Sequence, residues 1–230
     1  MAWLSLDRTG FSQYGPYQHV TWERRVWMAV LTISRQFGAG GKTLTQKVAA
    51  CLNYAIAHEE IIEQLTDLAK LSDEGVRYFE AEHPESTPPS AGALSPKRFI
   101  DRIFDSKRKD MNDQQYAELL RKIIPQIAAK GNVIILGRGA QFILNDYPDT
   151  HHVLLVAEEE DRIKFIQDNY ELSYDQAREA VIKQGKRRLK LMKLFHYEDY
   201  DLPVNYDLVL NMSKIKMDRA VELGCALVED

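Results

Sequence analysis

The feature that most constrains the fold is an alternation between short apolar runs and segments whose apolar residues repeat at helical spacing. The runs are "AVLTIS" at 29–34, "VIILG" at 133–137, "HVLLVA" at 152–157 and "DLVLN" at 207–211. They are too short for helices and nearly continuous, so they read as strands buried on both faces, the pattern of a parallel sheet. Leu44, Val48, Ala49 and Leu52 mark a helix that opens at Lys42 or Thr43. Ile61, Ile62, Leu65, Leu68 and Ala69 form a second apolar stripe, and Tyr116, Leu119, Leu120, Ile123, Ile124 and Ile127 a third, stopped by Gly131. A charged helical region spans roughly 158–195, and a last helix covers about 215–227. Strands separated by helices imply right-handed crossovers, hence an α/β fold with a parallel sheet and helices on both faces.

The chain has 230 residues, enough for one such domain with an insertion. Residues 1–27 show no sustained period and are expected to be an N-terminal extension of a domain at 28–230, ordered by Trp3, Trp22 and Trp27. Asp7 and Arg8 stand where a secretory signal needs its apolar core, and no stretch approaches the roughly 18 apolar residues of a membrane span. Residues 71–113, including "HPESTPPSAGALSP", mix acidic, proline-rich and basic pieces without a core strand and read as an insertion. The net charge of −4 gives no global basic field, which argues against nucleic acid or a membrane surface as partner; any polyanion site must be local. Cys51 and Cys225 match no metal or redox spacing, so they are expected to pack as small hydrophobes in a reducing cytoplasm.

In parallel sheets ligands bind where the strands end, so the residues leaving each run carry the functional question. The first run leads into "ISRQFGAGGKTL", where Gly38, Ala39, Gly40 and Gly41 precede Lys42 and Thr43. Glycines let backbone N–H groups turn toward one anion, and a helix start adds unsatisfied N–H groups and the positive end of its dipole. The strict G-x-x-x-x-G-K-[ST] pattern is broken, because Gln36 stands where the opening glycine belongs if Gly41-Lys42-Thr43 closes the loop. The stretch is either an anion cradle or a bare turn. "LGRGA" at 136–140 places Arg138 between two glycines at another strand end, suited to fork onto a phosphate or to pair with a surface carboxylate. "KQGKRRLKLMK" at 183–193 holds six basic residues in eleven, a solvated helix face or a cationic flap over polyphosphate.

Taken in order, "LTISRQFGAGGKTL", "GNVIILGRGAQFIL", "HHVLLVAEEEDRI" and "NYDLVLN" resemble the cytidylate-kinase-like family of P-loop nucleoside monophosphate kinases, over roughly residues 29–228. The resemblance implies a three-layer P-loop NTPase fold with an NMP-binding insertion at 71–113 and an arginine-bearing lid at 183–195. The implied reaction is transfer of the γ-phosphoryl group of ATP, with Mg²⁺, to CMP or dCMP. The implied roles are Lys42 and the loop amides of Gly38, Ala39, Gly40 and Gly41 on the β,γ-phosphates, Thr43 on Mg²⁺, Arg35 and Arg138 on the substrate, and Arg187 or Arg188 on the transition-state charge.

Several positions depart from the family's pattern. Laid on the loop of true cytidylate kinases, D-G-P-S-G-A-G-K-G-T-L, the chain has Ser34 at the aspartate, Gly41 at the lysine and Lys42 at the next glycine, so the lysine is displaced by one residue; the kinase-like relatives resemble S-R-x-F-G-S-G-G, of which Arg35 and Gly41 are typical, and Arg35 is a candidate to replace the lysine's charge. Gly139 replaces the aspartate of G-R-D, Gln184 and Gly185 stand at the lid's Arg-Asp pair, and His58 replaces the aspartate of Y-D-x-E-I-I. The leading expectation is an ATP-dependent kinase of a small acceptor. The alternatives are a nucleotide-binding sensor or partner-binding module with little transfer activity, and an interaction protein that uses the basic run on RNA.

Overall fold

A computed structural model describes residues 29–58, 61, 63, 64, 67, 113–195 and 199–229. Five strands, β1 (Val30–Arg35), β2 (Ala55–Ile56), β3 (Val133–Leu136), β4 (Thr150–Val156) and β5 (Leu208–Asn211), form a sheet in the order β2-β3-β1-β4-β5. All four pairings are parallel. The helices are α1 (Gly41–Leu52), α2 (Asp113–Ala128), the single turn α3 (Ala140–Ile143), α4 (Glu159–Tyr170), α5 (Tyr174–Leu194) and α6 (Met217–Glu229).

The two-residue period of the strands divides the core. Val30, Val133 and Ile135 face one side and pack with α2, α3 and α5. Leu31, Ile33, Ile134, Leu136, Val153 and Leu155 face the other side and pack with α1 and α6. The fold is therefore the expected three-layer α/β architecture. A third cluster joins α4 to the first half of α5 and reaches Phe37 in the glycine loop. Among the described residues no helix is long and apolar enough to cross a membrane.

Two expectations are corrected and a third, the charged helical region, is resolved in more detail. Helix α1 opens at Gly41, one residue before Lys42, because Gly40 adopts the left-handed conformation that turns the chain into the helix. The charged region at 158–195 is two helices, since Glu171 ends α4 with φ 53° and Ser173 starts α5 through a reciprocal capping box with Gln176. Cys51 and Cys225 are not separate small hydrophobes; they form a disulfide between α1 and α6, their Cα atoms 6.7 Å apart. These adjacent helices bring together residues 174 positions apart, a pairing that spacing cannot reveal. Ile61 is buried in the core as its stripe implies. Ile62, Leu65, Leu68 and Ala69, residues 1–27, and all of 71–113 except Asp113 lie outside the described residues.

Candidate active site at the strand ends

Strand β1 is central, and the residues that leave it point alternately to the two faces of the sheet. Ser34, on the α5 side, meets Arg188; Arg35, on the α1 side, lies against Gly41. The glycine loop between β1 and α1 is stitched to the end of β4. Gln36 N–H donates to the Leu155 carbonyl at 2.9 Å, and the Gln36 side-chain oxygen accepts from Ala157 N–H at 3.1 Å. Gln36 thus anchors the loop at the position where the strict pattern, counted from Gly41, has glycine.

Gly38 has φ 89°, and a Cβ there would lie 2.7 Å from the Arg162 carbonyl oxygen and 2.8 Å from Arg162 Cβ. Both the conformation and the close approach of α4 require glycine. Gly40 follows with φ 79° as the N-cap of α1, without a side-chain cap and with no acid in the first helical turn. The first N–H groups of α1, beginning at Gly41, therefore leave the helix end toward the loop. Such a start attracts anions through its N–H groups and its dipole. Ala39 is buried in this turn, whereas Lys42 and Thr43 are half-exposed at its rim.

At the end of β3 the positive-φ residues run in series, with Gly137, Arg138 and Gly139 at 69°, 58° and 68°. A left-handed arginine is uncommon and unfavourable by about 1–2 kcal/mol. Only 1% of Arg138 is exposed, and its Nη2 donates to His58 Nδ1 at 3.0 Å. Because guanidinium can only donate, His58 Nδ1 is the acceptor in this contact. His58 follows β2 and so occupies a strand end as well. The predicted Arg138 is thus brought together with His58, which stands at the aspartate of the family's Y-D-x-E-I-I pattern.

The basic run lies in α5, and the helical phase sorts it. Arg188, Leu191 and Met192 turn inward, whereas Lys186, Lys190 and Lys193 face out, with Lys190 paired to Asp113. Arg188 is 5% exposed. Its Nη1 and Nη2 donate to the two Asp201 oxygens at 2.7 Å each, Nη2 also donates to Ser34 Oγ at 2.8 Å, and its plane lies 4.7 Å from the Tyr200 ring centre. Arg187 is half-buried beside it.

Asp201, Arg162, Tyr200 and Phe195 escaped the sequence reading. Arg162 binds the Ala157 carbonyl through Nε at 3.2 Å, and its pKa is lowered by burial against the opposing charges of Glu159 and Asp201. The charge pattern "EEEDRI" pointed to α4 but not to the contact. Phe195 occupies the space beside Gly139: a Cβ at 139 would lie 2.5 Å from its ring.

A glycine loop running into a helix, buried arginines at the ends of β1 and β3, and a third arginine reaching β1 from α5 define a kinase-like, nucleotide-binding protein. The chain belongs to the cytidylate kinase-like family, whose profile matches residues 30–214. Among curated proteins no sequence match is found. A crystal structure described as an uncharacterized protein from Eubacterium ventriosum ATCC 27560 has a TM-score of 0.56 at 19% identity, covering 88% of this chain and 98% of that one. That likeness shows a shared fold. Shikimate kinase from Bacteroides thetaiotaomicron aligns at TM-score 0.47 and 15% identity, covering 88% of this chain and 99% of that one.

Proposed function

We propose that the protein transfers the γ-phosphoryl group of ATP to a nucleoside monophosphate, CMP or dCMP, or to a related small acceptor. The observation that carries this reading is that the glycine loop with Arg35 follows β1 and Arg138 follows the adjacent β3, while Arg188 reaches Ser34 at the end of β1. In the transfer, an acceptor phosphate oxygen forms a bond to the γ-phosphorus while the bond to the β,γ-bridging oxygen breaks, and ADP leaves. Catalysis of such a step is mostly positioning and charge stabilisation. The amides of Gly38 and of Gly40 to Thr43, the Ala39 N–H being bonded to the Gln36 carbonyl at 3.0 Å, and a loop cation, Arg35 or Lys42, hold the β,γ-phosphates; Arg138 holds the acceptor phosphate; Arg188, with Arg187 beside it, faces the charge that develops in transfer. The Thr43 hydroxyl at the start of α1 would help hold a Mg²⁺ ion brought with the nucleotide, and the ion would supply charge neutralisation.

The test is ADP release from ATP and Mg²⁺ with a panel of nucleoside monophosphates. ADP formation that depends on a cytidine monophosphate and drops by about 10³-fold in Arg188→Ala supports the proposal. No acceptor-dependent ADP above that of the variant refutes it. A second reading, nucleotide binding with little transfer, is favoured by Phe195 filling the space beside Gly139 and by the hold of Asp201 on Arg188. It predicts saturable thermal stabilisation by nucleotide without ADP.

A further inference from the structure

The broken loop pattern and the packing at Gly41 explain one another. Gly40 is the left-handed residue before α1, and Gly41 is the first helical residue. Counted from Gly40, the G-x-x-x-x-G-K spacing puts its opening glycine at 35 and its lysine at 41. This chain has arginine at 35 and glycine at 41. In the structure those two positions touch: a Cβ at 41 would lie 2.7 Å from both Cγ and Cδ of Arg35. The arginine stem already fills the space in which a side chain at 41 would begin.

We infer that Arg35 is the principal phosphate-binding cation of the loop, its charge moved from the helix start to the end of β1, and that Lys42 is secondary. The inference rests on the nucleotide-binding reading above. Its physical basis is threefold. Arg35 is 8% exposed and leaves β1 at the end where parallel sheets bind ligands. It lies against the positive end of α1, whose first turn holds no acid, a place that disfavours a cation and favours an anion. A polyphosphate seated there satisfies both the helix end and the guanidinium, which can fork across two phosphate oxygens. The Arg35 charge is also felt across the loop, where it lowers the Tyr170 pKa against the larger upward push of burial. Lys42, by contrast, is one residue further round the helix and half-exposed.

The test is titration calorimetry of the full chain with ADP, ATP and inorganic tripolyphosphate. Arg35→Ala is expected to weaken all three by about 10–100-fold, as loss of hydrogen bonds to a charged group does. Lys42→Ala is expected to lose less than a tenth as much, and Lys47→Ala, on the outer face of α1, to remain within about 2-fold of the parent. The paired change Arg35→Gly with Gly41→Lys, which restores the ordinary spacing, is expected to regain tripolyphosphate affinity over Arg35→Ala. This rescue separates a phosphate contact from a packing role, and it remains readable if Arg35→Ala folds poorly. A loss in Lys42→Ala equal to or larger than that in Arg35→Ala, or no recovery in the paired variant, overturns the assignment to Arg35. Absence of binding by the parent protein would instead overturn the nucleotide-binding reading.

Discussion

Arg188 and Asp201 form a two-pronged ion pair, each guanidinium nitrogen 2.7 Å from a different carboxylate oxygen, and Arg188 carries this pair to Ser34 at the end of β1. The pair orients a buried arginine whose family counterpart is expected in a lid. Removing the carboxylate leaves the guanidinium buried without it. Asp201 is 28% exposed, so the expected loss in Asp201→Ala is between that of surface and fully buried pairs, about 2 kcal/mol. Urea unfolding should show it, with a drop in melting temperature of about 4–8 °C. A change below about 0.5 kcal/mol would mean that the pair does not hold Arg188 in place.

Gly139 and Phe195 make a second prediction. Aspartate at 139 would restore the G-R-D pattern, but the position has φ 68° and its Cβ would meet the Phe195 ring. Gly139→Asp should therefore lower stability by about 2–4 kcal/mol, from left-handed strain and overpacking together, without raising phosphoryl transfer. Unfolding and ADP-release measurements on the same variant check both statements.

The framework was legible in the sequence because β1, β3 and the middle of β4 are buried apolar runs, and β5 is a short, partly buried one, with little competing periodicity. β2 was missed: it is two residues long and exposed, so no pattern announces it. The break between α4 and α5 had a local signal, Ser173 with Gln176, that went unread inside a uniformly charged stretch. At the candidate site, Arg35, Arg138 and the glycine loop could be singled out because parallel sheets bind ligands at their strand ends. Asp201 was not, because its importance arises only when Arg188 spans 154 residues of sequence to reach Ser34. The disulfide was hidden for the same reason.

His152 gives stability a defined pH dependence. It is buried in β4, with Nδ1 2.7 Å from Thr32 Oγ1, and burial lowers its pKa from 6.5 against the opposing charge of Asp207, while His151 adds to the lowering. Below 6.5 the unfolded chain therefore takes up a proton before the folded one does. The stabilising contribution is full above that value and is lost as pH falls through the window beneath it, by at most about 1.4 kcal/mol per pH unit. Unfolding free energies between about pH 7 and 5 should fall more steeply in the parent than in His152→Asn. Equal slopes would refute this origin.

The Cys51–Cys225 bond closes a long loop and joins the helix that begins at the glycine loop to the last helix. Chain-entropy reasoning gives it a stabilisation of up to about 5 kcal/mol. Dithiothreitol should lower the melting temperature of the parent and leave the doubly substituted Cys51→Ser, Cys225→Ser protein unchanged. Identical melting of the parent with and without reductant would show that the bond contributes nothing to stability.

Nucleotide binding at the strand ends is tested most directly by titrating the full chain with Mg²⁺ and ATP in a calorimeter. The expected result is saturable binding to one site with a dissociation constant of about 1 μM to 1 mM, weakened in Arg35→Ala and Arg138→Ala. Absence of saturable binding at millimolar ATP, or unchanged affinity in both arginine variants, would contradict a nucleotide site built from these strand ends.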